Sequence, residues 1–169
     1  MKQAEFLHHQ IKENIAQRLI QPVLHVIMVG DYPPSAVYVR KKVQACENVG
    51  IQSVVHALPH SSTTQDLCHL IDQLNSNPNV HGILVQLPLP QHIDKNMILS
   101  KIHPFKDVDG LTPHNIAATV ANTPGIRPCT PQGCMQLIQT VQKDLKGMHA
   151  VIVGKSLLVG LPVGQLLLH

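Results

Sequence analysis

Lys42 is the residue of this sequence whose setting most favours acid–base chemistry. On a helical wheel, at about 100° per residue, it shares one half of the circumference with Ser35, Tyr38 and several small apolar side chains. Arg40 and Lys41 fall on the other half. A lysine held in a cleft could act as a base because burial disfavours its charged form, and Tyr38 would add a flat apolar surface. Alternatively, Lys42 lies at the edge of the apolar stripe and extends its amine into water.

Gln86, Asp107 and Asp109 are further polar candidates. Gln86 lies near the end of an apolar run, where ligands of open α/β sheets bind, but a buried amide bonded to backbone would give the same pattern. Asp107 and Asp109 are two residues apart and could bind a cation together. No further acidic residues cluster nearby, so we predict no metal site. Asp109-Gly110 could equally be a simple turn.

Gly154-Lys155-Ser156 follows an apolar run and is a candidate for binding phosphate. A P-loop would need glycine at position 149, which is His149, and a dinucleotide-binding fingerprint would need glycine at Ser156. What remains is a glycine turn between a strand and a helix. Its backbone N–H groups and the helix N-terminus could hold a phosphate, and Lys155 would add a positive charge.

The elements that must position these residues alternate between strand and helix. Apolar residues at helical spacing predict a first helix that ends before Pro22: Leu7, Ile11, Ile15 and Leu19. Ser35 is predicted to cap a helix that stops at Gly50. The predicted helices cover residues 6–20, 35–49, 62–75 and 94–102, and the predicted strands are Val23–Val29, Ile51–Leu58 and Val80–Leu87. This order favours an α/β fold with a mainly parallel sheet.

Residues 103–131 interrupt that alternation with five prolines and little periodicity. Such a stretch usually carries function or connects two domains. A second α/β unit is then predicted, with a helix capped by Thr130 and opened by Pro131 that runs to about Lys143. A strand over residues 149–153 and the start of a helix over residues 162–168 follow, which is less than the βαβαβ arrangement of a dinucleotide-binding half.

The composition excludes several classes of protein. With 169 residues, of which 44% are apolar and 14% charged, the chain can build a core and is not disordered. A net charge of +3 with no Trp offers no basic stripe or stacking surface, so we predict no nucleic-acid partner. Lys155, Pro162 and Gln165 interrupt the apolar residues 150–168, which argues against a membrane span. The cysteines form no CxxC pair and residues 1–10 no signal peptide, which favours the cytoplasm.

Five motifs between residues 23 and 165 together resemble the bifunctional methylenetetrahydrofolate dehydrogenase/methenyltetrahydrofolate cyclohydrolase family. Each motif alone is weak evidence for this family, but the five occur in the order in which the family has them. They are Ser35-x-x-Tyr38-Val39-x-x-Lys42, Val85-Gln-Leu-Pro-Leu-Pro90, Lys106-Asp-Val-Asp-Gly110, Pro128-Cys-Thr-Pro131 and Gly154-x-Ser156-x-x-Val159-Gly160-x-Pro162.

The resemblance implies both a fold and an activity. The fold is α/β, with an N-terminal three-layer folate-binding catalytic domain over residues 1–120 and the beginning of a Rossmann-type NAD(P)-binding domain over residues 121–169. The activity is oxidation of 5,10-methylenetetrahydrofolate to the 5,10-methenyl form, with NADP or else NAD as hydride acceptor, and hydrolysis of that product to 10-formyltetrahydrofolate. The resemblance also implies tetrahydrofolate derivatives as ligands, a homodimer, and a place in one-carbon metabolism and purine biosynthesis.

The resemblance further implies a role for each matching residue. Lys42 is the central catalytic residue, which assists proton transfer and water attack, and Gln86 tunes and orients it. Tyr38 stacks on the folate, and Ser35 supports the same surface. Asp109 binds the N–H edge of the pterin, where a carboxylate can accept two hydrogen bonds.

The implied cofactor site and the departures from the family leave two other hypotheses open. Gly154-Lys155-Ser156 would face the cofactor phosphates. Family members continue beyond residue 169, and Leu161 and Ala117-Ala118 stand where relatives carry Arg and Gly-Arg. A shortened, non-catalytic relative that binds a ligand or a partner subunit is therefore the second hypothesis. A generic anion-binding module, based only on the glycine turn, is the third.

Overall fold

The computed structural model describes residues 2–18 and 20–169, and the chain divides into two compact units. Unit 1 ends at Ile102, and unit 2 is His103–His169. The family resemblance predicts a domain boundary later, after residue 120, and that boundary stays a prediction. Each unit is a contiguous stretch of chain, so each has its own order of helices and strands.

Unit 1 is built on a parallel three-stranded sheet with β1 in the centre. The strand order is β2-β1-β3, and the register places Val26 opposite Val55 and Leu84. The elements are α1 (Lys2–Ala16), β1 (Val23–Val29), α2 (Pro33–Val49), β2 (Gln52–Leu58), α3 (Thr64–Ser76), β3 (Gly82–Val85) and α4 (Lys95–Lys101). The predicted parallel α/β arrangement is confirmed in this unit.

The core of unit 1 lies between the sheet and the helices α3 and α4. Apolar side chains that are almost fully removed from water form it: Ile27, Leu67, Ile71, Ile83 and Ile98. Burying a side chain of this size contributes about 1.5–3 kcal/mol. The helix α3 is fixed at its start by a capping box, in which Thr63 and Asp66 bind each other's backbone N–H groups.

The helix that carries Lys42 begins differently from the prediction. Ser35 does not cap α2: it is the third residue of the helix and is buried, and Tyr32 is at the N-cap without a side-chain hydrogen bond. Pro33 and Pro34 open the helix because their fixed φ suits its first turn and their missing N–H groups need no partner there. The predicted stop at Gly50 is confirmed, with a left-handed φ of 89°.

The first helix, α1, ends at Ala16, whereas the predicted helix ran to residue 20. Leu7 and Ile15 are half-buried and Ile11 is exposed on one side of it. The fourth residue of the predicted stripe, Leu19, lies outside the described residues. Among the residues that the structure describes, no helix is long and apolar enough to cross a membrane.

Unit 2 is helical in its described residues, and three predictions for it were wrong. Its helices are α5 (Pro113–Ala121), α6 (Cys129–Val141) and α7 (Gly160–Leu168). Thr130 does not cap α6: it is the second residue of that helix, and Pro128 is at the N-cap without a side-chain hydrogen bond. The helix α5 lies inside the stretch predicted to be irregular. The predicted strand over residues 149–153 is absent, and its valines are exposed, Val151 to 86% and Val153 to 99%. A strand needs a neighbour to pair its backbone, and no other residue of unit 2 forms one.

A pair of histidines joins β1 to β2. His25 Nδ1 and His56 Nε2 are 2.8 Å apart, and the two rings stack with their centroids separated by 5.0 Å. Partial burial lowers the pKa of His56 below its ordinary value of 6.5. The folded chain therefore takes up a proton at His56 less readily than the unfolded chain does.

We expect this pair to make the folded chain less stable in acid. A group whose pKa is lowered on folding contributes its full stability above the unfolded value, and that stability is lost as the pH falls through the folded value. The melting temperature should therefore fall as the pH drops below the unfolded value of 6.5. His56→Gln should flatten the fall, whereas His8→Gln, on the exposed surface of α1, should leave it unchanged. Equal slopes for the two variants, measured by circular dichroism, would contradict this explanation.

Candidate functional site

Lys42 and Gln86 contact each other in unit 1. Lys42 Nζ donates a hydrogen bond of 3.4 Å to Gln86 Oε1, and Gln86 Nε2 donates one of 2.7 Å to the carbonyl of Leu87. Both side chains are half-buried. The amide of Gln86 is thus bonded to backbone through its nitrogen and faces Lys42 through its oxygen. This arrangement fixes the direction of the lysine amine without burying it completely.

The sheet places Gln86 where Lys42 can reach it. Gln86 N donates to the carbonyl of Ile27 over 2.8 Å, which continues the β1–β3 ladder one residue beyond β3. The carboxyl ends of β1 and β3 therefore meet at one edge of the sheet. The helix α2 begins after the turn that follows β1, and Lys42 lies on it two turns in.

The other residues of the predicted α2 face differ in their exposure. Val39 and Ser35 are buried, as the wheel predicts, and Lys42 is half-buried. Tyr38, one turn before Lys42, is 63% exposed. An exposed phenol ring beside a half-buried amine leaves a flat apolar surface available to a ligand.

A cavity of about 330 Å³ opens at the same edge of the sheet, and the sequence did not predict it. Polar side chains of the loops after β1 and β2 line it, namely Asp31, Tyr32 and His60, opposite prolines 88 and 90. Gly30 turns the chain there with a φ of 76°, and its N–H donates to the carbonyl of Leu58 over 2.9 Å. The glycine after the apolar run was the available sequence signal for this opening.

Asp109 belongs to unit 2, in a loop with a tightly packed glycine. Asp109 is half-buried. Gly110 has a φ of 67°, and a Cβ added to it would lie 2.8 Å from the nitrogen of Pro128. Cys129 Sγ donates to the carbonyl of Val108 over 3.2 Å. The backbone on both sides of Asp109 is therefore held against the start of α6.

Gly154-Lys155-Ser156 forms an exposed loop before α7 in unit 2. Ser156 Oγ accepts from the N–H groups of Val159 and Gly160, at 3.2 and 3.4 Å, and its carbonyl accepts from Leu161 N. Pro162 follows and has no N–H group. The donors at the start of α7 are thus already bonded to Ser156, so Lys155 is the group of this loop best suited to a phosphate.

The structure therefore brings together part of the predicted site. Lys42 and Gln86 are in contact, and Ser35 and Tyr38 lie on the same helix as Lys42. Asp109 and the loop 154–156 lie in unit 2, each with its own surroundings. Among the described residues, no group of three or more His, Cys, Asp or Glu side chains is arranged to hold a metal ion.

Two family models match this chain. Residues 2–109 match the catalytic domain of tetrahydrofolate dehydrogenase/cyclohydrolase, and residues 128–169 match the NAD(P)-binding domain of the same family. The first match contains Lys42, Gln86 and Asp109, and the second contains the loop before α7. The motifs that carry the sequence resemblance thus fall within the matched residues, except that Gly110 lies one residue beyond the first match.

Similar proteins include one relative by sequence and two solved structures. The protein named Bifunctional protein FolD 2 from Rhizorhabdus wittichii is 49% identical over 159 residues, which are 94% of this chain and 54% of that protein. The bifunctional enzyme FolD from Campylobacter jejuni is 43% identical with a TM-score of 0.91, over 98% of this chain and 61% of its own. The Trypanosoma brucei dehydrogenase-cyclohydrolase, solved with NADP and an inhibitor, is 34% identical with a TM-score of 0.91, over 98% and 58%. This chain thus spans between half and two thirds of the length of these relatives.

We expect Gly110→Ala to destabilise the chain by about 2 kcal/mol or more, because the new side chain would combine a left-handed φ with a backbone collision. Gly133→Ala is the matched control. Gly133 lies inside α6 with open space around it, so alanine there should stabilise by about 0.5–1 kcal/mol. Urea unfolding of both variants measures the two effects. Equal stability of Gly110→Ala and the unmodified chain would contradict the packing described for this loop.

Proposed function

The chain belongs to the tetrahydrofolate dehydrogenase/cyclohydrolase family, and on that premise we propose that it acts in one-carbon folate metabolism. The proposed reactions are oxidation of 5,10-methylenetetrahydrofolate to the 5,10-methenyl form and hydrolysis of that product to 10-formyltetrahydrofolate. The observation that carries the proposal is the hydrogen bond between Lys42 Nζ and Gln86 Oε1, at the carboxyl edge of the sheet. It lies in the part of the chain that matches the family's catalytic domain.

Lys42 is proposed to act on the water that attacks the methenyl carbon. As the water oxygen bonds to that carbon, the water gives up a proton, and the amine of Lys42 can accept and release it. The bond from this carbon to N5 then breaks as the new hydroxyl loses its proton and becomes the carbonyl of the formyl group, which stays on N10. Of the two protons of the water, one ends on N5 and the other leaves to solvent. The amide oxygen of Gln86 holds Nζ in one direction throughout, which keeps the amine aimed at the reacting atoms.

Tyr38, Ser35 and Asp109 are proposed to bind the folate. The exposed ring of Tyr38 offers a stacking surface, and buried Ser35 supports the face of α2 on which it stands. Asp109 is proposed to accept two hydrogen bonds from the N–H edge of the pterin. Its backbone is held by Gly110 and Cys129, which reduces the entropy lost when the ligand binds.

The proposed cofactor is NADP, with NAD as the alternative. When bound, this cofactor supplies the acceptor for the hydride that leaves the methylene carbon. Gly154-Lys155-Ser156 is proposed as its phosphate contact, with Lys155 supplying the charge, since Ser156 occupies the N–H groups at the start of α7. The match of residues 128–169 to the family's NAD(P)-binding domain supports this choice.

A homodimer in the cytoplasm, with a role in purine biosynthesis, completes the proposal. The four cysteines are thiols rather than disulfides, which suits a reducing compartment. The dimer and the pathway follow from the family resemblance. Tetrahydrofolate derivatives are the proposed small-molecule partners, and no nucleic-acid or membrane partner is proposed.

Folate binding is the first test of the proposal. Calorimetric titration with 5-formyltetrahydrofolate should show binding, and Asp109→Ala should weaken it about 10- to 100-fold, because a carboxylate that accepts two hydrogen bonds is removed. Asp144→Ala, an exposed carboxylate of the same unit, is the control and should bind like the unmodified chain. Equal affinities for Asp109→Ala and Asp144→Ala would remove Asp109 from the site.

Catalysis is the second test, since binding alone does not make an enzyme. Lys42→Met should lower the rate of methenyltetrahydrofolate hydrolysis about 10²- to 10⁴-fold, because it removes the acid–base group and keeps its length. Lys41→Met, the exposed neighbour on α2, should leave the rate unchanged. Binding of 5-formyltetrahydrofolate by a chain with no hydrolysis and no NADP-dependent oxidation would instead support the non-catalytic relative.

A further inference from the structure

We propose that Asn115 is a positioning residue, which holds the loop that carries Asp109 in the conformation that binds folate. This inference rests on the proposed function, in which Asp109 contacts the pterin. It assigns a role to the buried network of Asp107, Thr112 and Asn115, of which the sequence patterns singled out only Asp107. Asn115 itself would not touch the ligand, because it is 1% exposed.

The side chain of Asn115 makes three hydrogen bonds inside unit 2. Its Nδ2 donates to the carbonyl of Pro104 and to Asp107 Oδ2, each over 2.9 Å. Its Oδ1 accepts from the N–H of Ile126 over 3.1 Å. One amide therefore joins three segments of the chain: the stretch before Asp109, the helix α5 and the stretch before α6.

Asp107 links the amide of Asn115 to the loop that carries Asp109. The carboxylate of Asp107 is 1% exposed and also accepts from the N–H of Thr112 over 2.7 Å. The carbonyl of Asp107 accepts from Gly110 N over 3.3 Å. The residues between Asp107 and Thr112 thus form a loop that is closed by hydrogen bonds, and Asp109 lies within it.

The hydrogen bond between Ile126 and Asn115 holds a second segment, residues 126–128, beside this loop. The backbone of residues 126–128 lies against Gly110, where an added Cβ would be 2.9 Å from the carbonyl oxygen of Ile126. By bonding both Asp107 and Ile126, the amide of Asn115 sets the distance between the loop 107–112 and the backbone of residues 126–128. A carboxylate that must accept two parallel hydrogen bonds depends on such preorganisation.

The geometry also explains why the residue is asparagine rather than aspartate. The position needs donors toward Asp107 and Pro104 and an acceptor toward Ile126, and an amide supplies both. A carboxylate of the same shape would keep the bond to Ile126 and lose both donors. It would also place a second negative charge beside Asp107 in a buried site.

The test compares Asn115→Asp with Asn115→Ala. Both variants remove the donors toward Asp107 and Pro104, and Asn115→Ala also removes the acceptor for the N–H of Ile126, so each should weaken binding of 5-formyltetrahydrofolate about tenfold. A residue that only stabilises the fold would leave the affinity unchanged when it is measured on folded protein.

Thr119→Val is the matched control for stability. Thr119 is buried on α5 and donates to the backbone carbonyl of Asn115 over 2.8 Å, so valine removes a hydrogen bond there and leaves the bonds to Asp107 intact. Its affinity for 5-formyltetrahydrofolate should match that of the unmodified chain even if its melting temperature falls. Should Asn115→Asp fail to fold, Asn115→Ala, which removes the amide without adding a buried charge, supplies the measurement.

Amide hydrogen exchange at Gly110 separates this inference from the function on which it rests. Asn115→Asp should speed exchange of that amide, which is bonded to Asp107, whereas Thr119→Val should not. An unmodified chain that does not bind 5-formyltetrahydrofolate would overturn the proposed function, while faster exchange would still support the role of Asn115 in holding the loop. Unchanged affinity and unchanged exchange in Asn115→Asp would overturn the inference.

Discussion

The hydrogen-bonded ladders on both sides of β1 determine where the candidate residues of unit 1 lie. β1 pairs in parallel with β2 along its whole length and with β3 from Leu24 onward, so that all three strands point the same way. The loops that follow them open at one edge. Gln86 takes part in the ladder through its own N–H, so the sheet fixes the position of its backbone. The contact with Lys42 is a consequence of this register.

The sequence predicted unit 1 well because its signals are local. Strand and helix alternate with clear apolar periods, Gly50 marks a helix end, and the wheel placed Lys42 on the inner half of α2. The exposure of Tyr38 on that same half was not predictable. A helical wheel predicts the direction in which a side chain points, but not how much of it other residues cover. Neither was the contact of Lys42 with Gln86 predictable from periodicity, since it joins residues 44 positions apart. The family resemblance supplied that pairing.

Unit 2 was predicted less well because its structure depends on polar contacts across the chain. The helix α5 was missed among prolines and glycines, although Thr112 followed by Pro113 is a helix-start signal, and the structure uses it in that way. The network around Asn115 has no periodic signature at all. Residues 149–153 have strand composition, but composition alone cannot supply the neighbouring strand that a sheet requires.

The parallel pairing of β1 with β3 also has a consequence for how the site assembles as the chain folds. The backbone N–H of Val23 meets a ring nitrogen of His81 across 58 positions of sequence, with all of α2, β2 and α3 in between. Contacts of such long range form slowly, because closing the intervening chain costs conformational entropy before the contact contributes any stabilising free energy. Lys42 is synthesised and can become helical long before Gln86 exists. The lysine therefore meets its amide partner only when the third strand docks, so this contact is completed late in folding.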